Sequence, residues 1–177
     1  MKKMMIALLA CFSLNLSAST HELFLVKKNF NPENILHFDA NLTDDCKFKL
    51  DNPLHIYWIL GNSPVKHAPG FPESSFLVTE YIEKTEDRVI FTNDAIKKVG
   101  TLLRNGLTAT AGMTVDGKCE AKVLADTNEY GILTLTSIFG DLKTFFGIPY
   151  KVNHFVIEGL DEHGEVFKKK INKSLEK

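Results

Sequence analysis

Asp116-Gly117 stands between two runs of strand formers, residues 107–115 (LTATAGMTV) and 118–125 (KCEAKVLA). An Asp-Gly pair in that setting is the strongest short-range hairpin signal, because glycine reaches positive φ freely and the tight turn forces its flanks side by side. A second hairpin is marked by Asp161-Glu162-His163-Gly164, between residues 152–160 (VNHFVIEGL) and 165–171 (EVFKKKI). Shorter runs precede them: 21–28 (HELFLVKK), 35–42 (ILHFDANL) after the turn at Asn31-Pro32-Glu33-Asn34, 88–92 (RVIFT), and the alternating 131–139 (GILTLTSIF). Residues 54–60 (LHIYWIL), almost wholly apolar, β-branched and aromatic, read as a central strand buried on both faces.

Helical signals are few. Ser74 or Ser75 offers a cap to a short helix through Phe76, Leu77, Tyr81 and Ile82, although these residues also suit a strand. Asn93-Asp94 offers a cap to a helix with Ile96, Val99 and Leu103 on one face, ending near Gly106. Eight or nine strands at short spacing with one or two small helices predict a mainly β single domain, an antiparallel sandwich or barrel. A parallel α/β sheet is excluded, since helical segments do not alternate with strands.

The first nineteen residues stand apart. Lys2 and Lys3 precede a mainly apolar run from Met4 to Leu16, and Ser17-Ala18-Ser19 supplies the small residues a leader peptidase needs. This is the order of a secretory signal, too short for a permanent span. It predicts a leader over 1–19, a domain over 20–177, and a periplasmic or secreted protein with no transmembrane segment. The alternative takes Leu8-Leu9-Ala10-Cys11 as a lipobox and anchors a lipoprotein through Cys11. The apolar run continuing past Cys11 through Phe12 and Leu14 argues for ordinary cleavage.

About 158 residues would then remain, enough for one domain with its own core. The formal charge is −1 for the whole chain and −3 without Lys2 and Lys3. So mild a balance argues against non-specific binding to nucleic acid, which needs a concentrated basic face, and the closing KKKINKSLEK reads as a solvated end. Cys46 and Cys119 are the two cysteines left; lacking a CxxC partner or nearby histidine, they read as a structural disulfide.

The chain carries no G-x-S-x-G elbow, H-E-x-x-H, Walker loop or G-x-G-x-x-G, and no cofactor is expected. His37 and Asp39, two apart, share one face of a strand, and His55 falls on a neighbouring run. Together they could bind zinc or serve as a base and its orienter, against the plainer reading of a polar strand face. Cleavage after Ala18 would leave Ser19-Thr20-His21, an amine-to-histidine spacing that chelates Cu(II), where the plainer reading is a frayed terminus. In IFGDLKTFFGIPYKV (138–152), Phe139, Phe145, Phe146 and Tyr150 form a loop that would be an apolar mouth or partner surface if exposed, or a packed connection if buried.

HELFLVKKNFNPENILHFDANL followed by NPLHIYWILG resembles a family of small exported bacterial proteins classed as a domain of unknown function. The resemblance is carried by Lys27, Lys28, Phe38-Asp39 and Tyr57-Trp58-Ile59, and by the closing HFVIEGLDEHGEVFKKKI. It covers the first third and last fifth of the mature chain, and it implies export and a mostly β fold without an activity. The leading expectation is a non-enzymatic domain that binds another molecule, an unknown protein or a small apolar ligand, through strand edges or the Phe139–Tyr150 segment. The alternatives are a barrel carrying a small apolar ligand among Phe38, Tyr57 and Phe155, or an enzyme using His37, Asp39 and His55.

Overall fold

Every strand-forming run in the sequence pairs with another, and most pairs are antiparallel neighbours in the chain. The computed structural model describes residues 20–61, 65–67, 79–93, 96–97, 103–127, 130–145 and 148–172. The leader with Cys11, the Ser74 and Ser75 cap, Val99 and Phe146 lie outside the described residues. Among those described, eleven strands follow in order: β1 (Thr20–Lys28), β2 (Ile35–Asn41), β3 (Leu54–Ile59), β4 (Lys66–His67), β5 (Glu80–Lys84), β6 (Arg88–Thr92), β7 (Leu103–Met113), β8 (Cys119–Thr127), β9 (Gly131–Phe145), β10 (Ile148–Leu160) and β11 (Val166–Asn172).

All belong to one sheet, β4-β3-β2-β1-β9-β8-β7-β6-β5, with β10 and β11 beyond the other edge of β9. The sheet curls into an open half-barrel. The long strand β9 makes this possible. Its first part pairs with β8 through Leu135, and from Ser137 onward the same edge takes β1 in parallel. Thr136, between them, is an extra residue against β10, where Glu158 faces Ser137 and Gly159 faces Leu135. A bulge bends a strand and lets it pass from one packed layer to another. Gly159 opposite the bulge is obligatory for space, because a Cβ there would stand 2.3 Å from the Thr134 carbonyl oxygen.

The two wings held by β9 close on a phenylalanine stack. Phe24 of β1 lies 4.3 Å from Phe38 of β2, and Phe91 of β6 stands 6.4 Å from each, centroid to centroid. Leu36, Leu54, Trp58, Val89, Leu107, Val123, Leu133, Leu135, Phe155 and Ile157 complete the apolar interior.

One end of that interior is sealed by the β2–β3 connection. Phe48 N donates to Glu86 O at 2.7 Å, Lys47 Nζ meets the Glu86 carboxylate at 2.7 Å, and Lys84 Nζ donates to Leu50 O at 2.9 Å. Cys46 and Cys119 form the predicted disulfide there, tying the β2–β3 connection to the start of β8 across the two wings.

The hairpin turns explain themselves locally. Thr114 N donates to Lys118 O and Gly117 N to Thr114 O, with Gly117 at φ 76°. The loop is therefore three residues long with glycine in the left-handed position, rather than the two-residue turn that Asp-Gly alone suggests. The Thr114 hydroxyl donates to the Asp116 carboxylate at 2.6 Å. Thr43-Asp44-Asp45-Cys46-Lys47 repeats this turn: Thr43 N donates to Lys47 O, Cys46 N to Thr43 O, and Cys46 takes the left-handed position at φ 61°.

Three expectations are corrected. Leu103 begins β7, so the helix that Asn93 starts does not run to Gly106; Ile96 N does donate to Asn93 Oδ1 at 2.8 Å, and helical backbone among the described residues is confined to Ile96 and Lys97. Tyr81 and Ile82 belong to strand β5. The run 54–60 is next to an edge rather than central: among the described residues the strand beyond it is the two-residue β4.

Candidate functional site

Alternation along β1, β2 and β3 sends one set of side chains into the phenylalanine core and the other set to the outer face. Phe38 pairs with Phe24 and Ile56 on the inside, so His37, opposite Tyr57, and Asp39, opposite His55, point outward. Glu22 joins them through a bulge. Glu22 and Phe24 are two apart and would share a face in a regular strand, but Leu23 is an extra residue. Glu22 therefore faces Asp39 while Phe24 faces Phe38.

The result is a polar cluster on the outer face. Glu22 Oε2 lies 3.0 Å from His37 Nδ1. The His37 ring stacks on Tyr57 at 5.1 Å, and the His55 ring packs on Tyr57 at 4.8 Å. Tyr57 donates its hydroxyl to Asp39 Oδ2 at 3.0 Å, and Lys66 Nζ stands 3.8 Å from the same oxygen and 4.1 Å from the Tyr57 ring centroid. Burial, reinforced by the hydrogen bond to Asp39, pushes the Tyr57 hydroxyl up to about 12, so it is a proton donor throughout the physiological range.

Asp39 is the unusual member. It is only 4% exposed, and its Oδ1 is buried with no hydrogen-bond partner among the described residues. Half a carboxylate left unsatisfied costs about 1–3 kcal/mol or more, so native structures rarely keep one without a use. One ligand atom each from Glu22, His37 and Asp39 lie within 4.8 Å of one another.

The structure thus gathers His37 and Asp39 and adds Glu22 and Lys66, which the sequence does not single out, and Tyr57, which it names for an apolar pocket rather than for this cluster. His55 is on the same face but outside the triplet of donor atoms, held against the Tyr57 ring. Phe38, Tyr57 and Phe155 do not line one cavity. Phe38 and Phe155 are buried in the core, 1% and 6% exposed, while Tyr57 is on the opposite side of the sheet from Phe38.

The Phe139–Tyr150 segment is two arms of the β9–β10 hairpin rather than a loop. Phe139 is half-buried between Lys27 of β1 and Val156 of β10, on the outer face that Leu25 and Ser137 share with His37. Phe145 is 67% exposed near the hairpin end, Phe146 is outside the described residues, and Tyr150 lies on the backbone of β10. Asn29 fixes the base of this arm, donating to Asp141 Oδ1 at 2.7 Å and accepting from Leu142 N at 2.8 Å.

At the amino end, Thr20 and His21 are register-paired with Asn41 and Ala40. An amine-to-histidine copper chelate would need the amides of this segment as ligands, and so would unpair the first residues of β1. Among the described residues no helix is long and apolar enough to cross a membrane. Compared with family models, curated proteins and solved structures, the chain matches none, so its own geometry has to carry the reading.

Proposed function

We propose that this chain is an exported, non-enzymatic binding module whose recognition surface is the outer face of β3, β2, β1 and β9. Asp39 carries the reading: a carboxylate 4% exposed, with one oxygen unpartnered, set among Glu22, His37, Tyr57 and Lys66. A polar cluster of this kind adds little to the packing of an otherwise apolar interior, and local departures from good packing gather where a protein meets its ligand. The exposed Phe145 and half-buried Phe139 extend the same face along β9.

The stacked Phe24, Phe38 and Phe91 fill the interior that a carrier of an apolar ligand would keep open, which favours the face over the interior. The contacts within the cluster pair acid with histidine and phenol with acid. The Cys46–Cys119 disulfide supports folding in an oxidising compartment.

Native mass spectrometry of the protein recovered from its producing cells tests both parts. The expected species begins near Thr20, carries one disulfide, and retains a bound mass that Tyr57→Ala or Glu22→Ala releases. Recovery of an intact Met1 form from the cytosol, with Cys46 and Cys119 open to alkylation, would overturn export. A bound mass that survives both substitutions would overturn the assignment of the face.

A further inference from the structure

We propose that Glu22, His37 and Asp39 form a site for one zinc-class divalent cation. The inference rests on the reading of the outer face as a binding surface and names what that surface takes. Three observations carry it. The donor atoms of the three side chains already lie within 4.8 Å of one another. Asp39 is 4% exposed and presents a buried oxygen with no hydrogen-bond partner, a feature that exposed acidic clusters lack. Finally, the other oxygen of Asp39 is held by Tyr57 and Lys66, as outer partners orient a metal-binding carboxylate.

The chemistry selects the ion. One imidazole with two carboxylates suits zinc and its first-row neighbours, whereas calcium and magnesium favour oxygen alone. Zinc ligands at about 2.0–2.2 Å in a tetrahedron are roughly 3.4 Å apart, so the triplet has to close by about 1 Å or a little more. Glu22 can supply that movement, because its side chain is 55% exposed. Its present hydrogen bond to His37 Nδ1 is what the cation would replace. Three protein ligands would leave one position of a tetrahedron for water or for a donor from the bound partner.

His37 also explains why the site is rigid where it matters. Its ring is stacked on Tyr57 with planes only 5° apart, and Tyr57 in turn holds Asp39. Two of the three ligands are therefore positioned by one tyrosine before any cation arrives.

The test is a calorimetric titration of the exported protein, stripped with chelator and dialysed, using zinc chloride alone as the probe. One zinc per chain is expected, and at a hundredfold excess over Kd the thermal midpoint should rise by roughly 5–10 °C. Glu22→Gln and His37→Gln, both on a half-exposed strand face, should each weaken binding at least tenfold while folding normally by circular dichroism. His21→Ala, which removes the competing chelate at the amino end, should leave the affinity unchanged. Absence of saturable binding to the unsubstituted protein would overturn the site, as would unaltered zinc affinity in both Glu22→Gln and His37→Gln. If zinc fails to bind yet Tyr57→Ala still releases the co-purified mass, the cation assignment falls while the binding face stands.

Discussion

Cys46 occupies the position that Gly117 fills in the matching turn, and its φ of 61° is a conformation that L-residues other than glycine reach only at a cost. Two opposing terms therefore meet at one residue. The disulfide closes a separation of 73 residues, which in the chain-entropy model stabilises the fold by roughly 4 kcal/mol. The left-handed backbone costs a side-chain-bearing residue about 1–2 kcal/mol, of which about 0.4–1 is returned because glycine is freer in the unfolded chain. Cys46→Ala/Cys119→Ala should lose the cross-link and keep the strain. Losing the buried Cys46 sulfur adds about 1 kcal/mol of packing, for a total near 5 kcal/mol. Cys46→Gly/Cys119→Ala should lose the cross-link and relieve the strain, and so be more stable than the alanine pair by up to about 1 kcal/mol. Urea unfolding followed by tryptophan fluorescence reads both, since Trp58 is buried in the core. With a urea m-value of about 2 kcal/mol/M, the two variants should differ by up to roughly 0.5 M in midpoint, and reduction of the unsubstituted protein should lower its midpoint by about 2 M. If the glycine pair is no more stable than the alanine pair, the strain argument fails. Reduction that leaves the midpoint unmoved would refute the cross-link argument.

Gly159→Ala should cost about 3 kcal/mol, because its Cβ would meet the Thr134 backbone rather than a yielding side chain, whereas Gly112→Ala, with nothing within 4 Å, should be neutral or slightly stabilising; thermal melts of the two compare them directly. Tyr57 gives a pH signature whose sign follows from its raised value. Folding holds the phenolic proton more tightly than the unfolded chain does. Its contribution is therefore intact below pH 10.0 and is lost as the pH rises toward about 12. Urea midpoints measured from pH 9 to 11.5 should fall more steeply for the unsubstituted protein than for Tyr57→Phe, and parallel curves would refute the assignment.

The strands were legible because their causes are local. Turn residues at Asp116-Gly117 and Asp161–Gly164, and alternation over 131–139, act within a few residues of the backbone they shape. The failures have longer-range causes. Asn93 does cap Ile96, as its side chain predicts, yet Leu103 is claimed by β8: it pairs with Thr127, and a register shift between Leu103 and Leu107 absorbs the mismatch. The run LHIYWIL reads as a central strand because it is apolar and aromatic throughout, and Trp58 on one face and Tyr57 on the other are indeed buried, yet β3 is next to the edge. Its outward aromatic, Tyr57, is buried by the rings of His37 and His55 and by Lys66 rather than by a second layer of strands.

The candidate site was half legible for a related reason. His37 and Asp39 share a face by spacing alone, and any reading that makes 35–42 a strand brings them together. Glu22 is invisible to spacing, since on a regular β1 it would lie on the same side as Phe24, inside the core. Only the extra residue Leu23 separates them, and a bulge is a property of two strands rather than of one. The energetic order explains why the bulge forms. Burying Phe24 against Phe38 and burying Leu23 are each worth roughly 2–3 kcal/mol, while the exposed Glu22–His37 contact contributes at most about 1 kcal/mol. Packing thus dictates the irregularity, and the polar cluster inherits its geometry from it. A core requirement at Leu23 and Phe24 is what turns Glu22 toward Asp39, so the fold and the proposed cation site depend on the same two residues of β1.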